Sequence, residues 1–377
     1  MRCLIVNTDY PAFLDWLYRE NAGLADASFR EQQSLRFSSW FGVSDSYPAA
    51  LRELGHEAME IYINNGPMQR QWCLENGFRL PDAWKWGLRL RRGILPWATR
   101  LQDAGWQSLA LTAQIKQFRP DVILNRVMTL NGPMLKILRD GCKTLVGQHA
   151  ATRLSYETDY QLYDLVLSSF PATVHWFRRK GIFATYHKLF FDSRVLKHLP
   201  EVRRQFPLTF IGSLHPIHAT RLQLLEAICE SFDNFLIWTP DRDKIPSDSP
   251  LHARWQGAAW GLEMYQILAQ SEITLNEHGA IAPYANNYRL YEATGVGTCL
   301  LTDQKENLSE LFEPGKEVAT YTTAESCIDQ IRKLQSDSHL RNSISKNGLE
   351  RTLREHNPKS RAEELCKLLE FKRFGLT

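Results

Sequence analysis

The chain has 377 residues, 44% hydrophobic and 11% aromatic, enough apolar surface for sizeable cores and for two domains more readily than one. Its 45 Lys and Arg nearly balance 42 Asp and Glu; the formal charge of +3 supplies no overall field for a polyanion, so no nucleic-acid partner is expected. The seven scattered cysteines form no Cys-x-x-Cys pair or zinc-spaced cluster, and no run approaches the roughly eighteen apolar residues of a membrane span. A reducing, cytoplasmic setting is expected, with a peripheral membrane contact left open.

Taken in order, residues 3–6 are an apolar run that turns at Asn7-Thr8-Asp9-Tyr10-Pro11, the pattern of a buried parallel strand entering a loop. A helix at 47–54, stopped by Gly55, and a strand at 58–63 complete a first β-α-β unit. Between 66 and 106, Trp72, Trp84, Trp86, Trp97 and Trp106 interleave with Arg70, Arg79, Lys85, Arg89, Arg91, Arg92 and Arg100. This stretch reads as a helical insertion, either amphipathic cover for the sheet or a platform for a sugar, a lipid surface or an anionic chain. The alternation resumes with helix 111–118, strand 121–124, helix 134–139, strand 144–146, strand 163–168 and helix 173–180.

A charged, irregular stretch around 191–206 reads as a linker. Beyond it come strand 208–211, helix 218–231, strand 235–238, helix 262–269, strand 273–276, helix 288–293, strand 299–302 and helices after 323. The fold class is therefore α/β, with two Rossmann-like, doubly wound domains over 1–198 and 207–356 facing a central cleft, and ligands expected at the carboxyl ends of the strands.

The sharpest local signal runs from Asn286 to Asp303 and contains Asn287, Arg289 and Glu292 on a short helix broken by Gly295 and Gly297 before a buried strand. Polar groups opening that helix suit an anion, and Glu292 one turn on suits ribose hydroxyls; an N-capped helix with a solvated glutamate is the plainer alternative. Gly212-Ser213-Leu214-His215 leads into a helix carrying Arg221, a combination able to neutralise a diphosphate, with Arg289 as the other cation for phosphate. Asn276, Glu277 and His278 end a strand nearby and complete the candidate donor-binding set of Gly212, Ser213, His215, Arg221, Asn276, Glu277, His278, Asn287, Arg289 and Glu292.

The segment from Asn286 to Asp303 resembles the CgeB-like glycosyltransferases, relatives of the large retaining GT-B group whose donor motif sets a glutamate before a glycine-containing turn; Glu292 matches that glutamate. The resemblance extends through 308–317 and 351–356 and is strongest over 207–357. It implies a metal-independent, retaining transferase with a nucleotide-diphosphate sugar as substrate, no cofactor, and an unidentified acceptor. It also implies that the helical pattern at Ala362, Leu365, Cys366, Leu368 and Leu369, within 357–377, returns to complete the first domain. The broader group carries a second glutamate eight positions earlier, where this chain has Tyr284.

The related enzymes place a histidine facing the donor sugar after a first-half strand, and His149 occupies that position, making it the leading catalytic candidate. Asp9 is the second candidate, a general base should the reaction invert the anomeric centre. Two competing readings remain: a nucleotide-sugar epimerase or hydrolase of the same fold, and a non-catalytic sugar-nucleotide-binding protein, the latter motivated by Tyr284.

Overall fold

The computed structural model describes residues 1–80, 84–91, 95–102, 105–149, 154–155, 158–199, 201, 204–214, 220–278 and 283–373. The chain folds into two compact units: Met1–Ser38, Leu51–Leu167 and Val174–Thr185 form the first, and Ser39–Ala50, Ser168–Thr173 and Tyr186–Thr377 the second.

In the first unit and the segments threaded through it, the strands are β1 (Arg2–Asn7), β2 (Glu57–Tyr62), β3 (Trp84–Arg91), β4 (Leu95–Gln102), β5 (Val122–Asn125), β6 (Thr144–His149), β7 (Leu165–Ser168) and β8 (Ala184–Tyr186). The helices are α1 (Pro11–Glu20), α2 (Phe29–Ser38), α3 (Ser46–Glu53), α4 (Gly66–Glu75), α5 (Gly105–Phe118), α6 (Gly132–Asp140) and α7 (Pro171–Arg179). The sheet order is β2-β1-β5-β6-β7-β8, with β1 parallel to both β2 and β5, and β5 parallel to β6. The run Cys3 to Val6 is wholly buried because helices cover a parallel sheet on both faces. The order reverses between β1 and β5, so the carboxyl ends of those two strands frame this unit's crevice.

The Trp/Arg-rich insertion departs from expectation. It begins with helix α4, but β3 and β4 then form a separate antiparallel pair in which Trp86 opposes Arg100 and Arg89 opposes Trp97. The reason is written in the sequence: Trp84-Lys85-Trp86 and Leu88-Arg89-Leu90-Arg91 alternate apolar and basic residues with the period of a strand, not of a helix.

The second unit contains β9 (Phe206–Ile211), β10 (Phe235–Trp238), β11 (Ser271–Asn276), β12 (Cys299–Asp303) and β13 (Ala319–Tyr321). Its helices are α8 (Arg221–Ser231), α9 (Leu262–Gln270), α10 (Arg289–Gly295), α11 (Leu308–Leu311), α12 (Ala324–Ser336), α13 (Ser338–Glu355) and α14 (Pro358–Arg373). All five strands pair in parallel in the order β10-β9-β11-β12-β13. Successive side chains go to opposite faces, and both are buried. Leu208, Phe210, Ile273, Leu275, Cys299 and Leu301 pack with residues of α8 and α12, while Ile211, Trp238 and Leu300 pack with residues of α9 and α10. The order reverses between β9 and β11, which puts Gly212-Ser213 and Glu277-His278 at the crevice where such sheets take ligands.

Candidate functional site

At the crevice of the second unit, Arg221 opens α8 only 5% exposed and meets Glu277 just beyond β11. Its Nε donates to Glu277 Oε2 over 3.1 Å, Nη1 to the Ser213 carbonyl over 2.7 Å, and Nη2 to the Glu277 carbonyl. Thr220 Oγ1 donates to the other Glu277 oxygen at 2.7 Å. Burial pulls the Arg221 guanidinium below its usual range, against the opposing charge of Glu277. Arg221 therefore stands at the start of α8 with each of its guanidinium nitrogens engaged by Glu277 or the Ser213 carbonyl. Ser213 Oγ and the Leu214 amide both bind Asp241 Oδ2 at 2.6 Å, which pins the turn after Gly212. His215 lies outside the described residues.

One strand further, Asn276 and Asn287 exchange side-chain hydrogen bonds of 2.8 and 3.3 Å, and Asn276 Nδ2 also reaches Thr302 Oγ1 at 3.0 Å. Because Asn276 and Thr302 are register partners, His278 and Asp303 leave adjacent strand ends together. The His278 amide and Nδ1 both meet Asp303 Oδ1, at 2.9 and 2.7 Å, and Lys305 Nζ stands 3.0 Å from Asp303 Oδ2. Burial alone would raise the Asp303 carboxyl, but the hydrogen bond and charge of His278, with Lys305, hold it below its usual range. His278 is 4% exposed and its Nε2 has no hydrogen-bond partner among the described residues.

The short helix α10 carries Glu292, 7% exposed, with its carboxylate 3.0 Å from Arg289 Nη1. Burial raises its pKa; the Arg289 charge and a hydrogen bond from Tyr265 on α9 work in the other direction. Among the described residues neither Nε nor Nη1 of Arg289 makes a directed hydrogen bond, although both are buried and Nη1 is ion-paired with Glu292. Glycine is required here for two reasons: a Cβ on Gly295 would stand 2.4 Å from the Phe191 ring, and Gly297 turns into β12 at φ +74°. The glutamate expected to be solvated on the plainer reading is therefore inside the unit.

The first unit holds the other two candidates. His149 ends β6, 4% exposed and engaged with its surroundings. Asp9 follows β1 and is ion-paired with Arg36, whose Nη2 and Nε donate to it at 2.6 and 3.3 Å. Asn64 clamps the same backbone through two bonds of 2.9 and 2.7 Å, and the Arg36 guanidinium lies 4.1 Å over the Tyr62 ring. Burial raises the Asp9 carboxyl above its usual range, against the charge and hydrogen bond of Arg36.

Sequence reasoning missed Tyr265, Asp303 and Lys305 as parts of the site. The signal for Asp303 was present, since strands predicted at 273–276 and 299–302 end side by side. Tyr265 carried none, because its approach to Glu292 depends on how α9 and α10 pack.

Two parallel-sheet, Rossmann-like units with crevices at their strand carboxyl ends make up the GT-B fold, and solved structures of that class align along nearly the whole chain. HepE from Anabaena in complex with UDP-glucose matches with a TM-score of 0.61 and 12% identity, covering 98% of this chain and 99% of that one. The pneumococcal O-GlcNAc transferase GtfA in complex with UDP and GlcNAc gives 0.58 and 11%, covering 98% of each chain. Sucrose-phosphate synthase from Thermosynechococcus elongatus gives 0.58 and 11%, covering 100% of both. Residues 218–367 match the family described as glycosyl transferase-like, a span that contains Arg221, His278, Arg289 and Glu292. No curated protein sequence matches the chain. The chain thus has a GT-B fold, with a match to glycosyl transferase-like sequences over residues 218–367.

Proposed function

We propose that the chain is a glycosyltransferase of the CgeB-like kind, moving a sugar from a nucleotide-diphosphate donor, with UDP as the first nucleotide to try, to a hydroxyl acceptor. In that reaction the bond between the anomeric carbon and the β-phosphate oxygen breaks, with its electron pair leaving on the nucleoside diphosphate. The acceptor oxygen bonds to the anomeric carbon and releases its proton. What the protein must supply is electrostatic support for the departing phosphate and orientation of the sugar.

The observation that carries this reading is the polar cluster around β11, β12 and α10. There Arg289 Nε and, past the end of β11, His278 Nε2 are buried with no hydrogen-bond partner among the described residues, and Arg289 is ion-paired with the buried carboxylate of Glu292. Buried polar atoms are normally satisfied, and a cluster of exceptions calls for an explanation, here a ligand. Support for UDP comes from HepE and GtfA, whose structures contain it. In this reading Arg289 and His278 face phosphate, Glu292 faces ribose, and His149 faces the transferred sugar with retention of configuration. Positive side chains take the place that a divalent ion holds in other transferases, so the reaction is expected to proceed without metal.

A panel of nucleotide sugars scored by thermal shift tests the donor, since a ligand that binds only the folded state raises its apparent stability. Product analysis with and without acceptor then separates transfer from hydrolysis or epimerisation. Donor binding with no turnover across a broad acceptor set would leave the non-catalytic reading in its place.

A further inference from the structure

The antiparallel pair β3–β4 belongs to neither large sheet, and among the described residues neither strand shares an extended contact with a helix or with another strand. Its composition is set apart in the same way. Residues 84–102 hold Lys85, Arg89, Arg91, Arg92 and Arg100 and no acidic residue. Taking these five from the 45 Lys and Arg leaves 40 against 42 Asp and Glu, so the rest of the chain is slightly acidic and this segment supplies the whole of the positive charge.

The register sorts the residues by face. Along β3, Trp84, Trp86, Leu88 and Leu90 alternate with Lys85, Arg89 and Arg91, which puts the two sets on opposite faces. The register partners Ala98, opposite Leu88, and Pro96, opposite Leu90, extend the apolar face, with Arg100 at its Trp86 end. The other face sets the three bases of β3 beside Leu95, Trp97 and Leu101.

A two-stranded ribbon is marginal by itself in water, and an apolar face has to be covered. Charge and apolar content select the cover. A second copy of the segment would bring five more bases against these five and no acid to neutralise them. A nucleic acid would answer the bases but leave the aliphatic residues of the first face in water. A bilayer with anionic lipids answers both, because headgroup phosphates take Lys and Arg, the acyl boundary takes Leu and Pro, and tryptophan favours the interface between them. The two strands leave unpaired backbone groups along both edges, which hydrocarbon does not tolerate, so the pair lies on the membrane and does not cross it.

We propose that β3–β4 is a membrane-docking element that seats the first unit on a bilayer bearing anionic phospholipids. The apolar face enters the headgroup boundary and the bases bind the phosphates. This goes beyond the sugar-transfer reading and does not depend on it.

The test is co-sedimentation of the full chain with vesicles of phosphatidylcholine alone and of phosphatidylcholine with about one-third phosphatidylglycerol. The wild type is compared with the double variants Arg89→Gln, Arg91→Gln and Trp86→Ser, Trp97→Ser, whose urea midpoints report that both remain folded. The wild type should prefer the anionic vesicles by about tenfold or more, and each double variant should lose about tenfold on them. Brominated phosphatidylcholine in the anionic vesicles should quench the tryptophan emission of the wild type, a readout that needs no variant. Failure of the wild type to bind anionic vesicles, binding without quenching, or folded variants that bind as the wild type does would overturn the proposal. It is equally overturned if polyuridylic acid binds as tightly as the vesicles and only the arginine variant weakens, which assigns the surface to a polyanion. A dimer that forms in place of vesicle binding and is lost in the tryptophan variant assigns the face to a second copy and also overturns it. No arm contains a nucleotide sugar, so the result stands apart from the test of sugar transfer.

Discussion

Replacing Glu277 with alanine should be among the most destabilising single changes in the second unit. The carboxylate accepts from Arg221 Nε at 3.1 Å and from Thr220 Oγ1 at 2.7 Å, with both charged side chains about nine-tenths buried. Removing it leaves a buried guanidinium without its counter-charge, a change that costs about 3–5 kcal/mol in comparable sites. Arg221 keeps its bonds to the Ser213 carbonyl and the residue 277 carbonyl, which places the expectation at the lower end, about 3 kcal/mol. In urea unfolding with a slope of about 2 kcal/mol/M, that moves the midpoint down by about 1.5 M. The double variant Arg221→Met, Glu277→Leu removes both charges and fills the space, so it should recover most of the loss. A loss under about 1 kcal/mol for Glu277→Ala, or a double variant as unstable as the sum of its singles, would refute the assignment of Arg221 and Glu277 as a mutually dependent buried pair.

Glu292→Ala should weaken UDP binding by about 1–3 kcal/mol, roughly fivefold to 150-fold, and unchanged affinity in a direct titration would remove this residue from the donor site. His149→Ala should depress turnover while sparing UDP affinity, and a parental transfer rate would remove it from the chemistry. Glu60 is buried and accepts from Asn7 Nδ2 at 3.0 Å; burial raises its carboxyl above the ordinary carboxylate range, against the pull of Arg126 and Asn7. A carboxyl raised in the folded state contributes stability below its unfolded pKa and loses it as pH rises through the folded value. Glu60→Gln should therefore gain stability relative to the wild type between pH 4 and pH 7 in paired urea titrations; a difference independent of pH would contradict the raised carboxyl.

The alternating sheets were legible because their strands are short apolar runs closed by turn residues. The strands predicted at 3–6, 235–238 and 299–302 fall on β1, β10 and β12, and Gly295 and Gly297 announced the break after α10. Less was legible where two signals competed. Tryptophans at 84, 86 and 97 suggested an amphipathic helix, while the alternation around them belonged to the antiparallel pair of β3 and β4. Helices α1 and α2 escaped notice: α1 has only a short apolar stripe, with Phe13 and Leu17 buried, and α2 buries Gln32 and Arg36, whose partners, such as Asp9, no local pattern encodes. At the site, Arg289, Glu292 and His278 were readable as chemistry-bearing residues at strand and helix ends. Which of them pair with one another was not readable, because the Asp303–His278 and Tyr265–Glu292 contacts join residues 25 or more positions apart, or on different helices.

The central claim is that the second unit binds a sugar nucleotide and that the protein transfers its sugar. The most direct measurement incubates the purified chain with a set of UDP-sugars and a pooled acceptor library and follows both UDP release and product mass. UDP release that depends on acceptor is expected, together with a product heavier by one sugar residue. Stabilisation by no nucleotide sugar in the set, with neither UDP nor a glycosylated product formed, would contradict it.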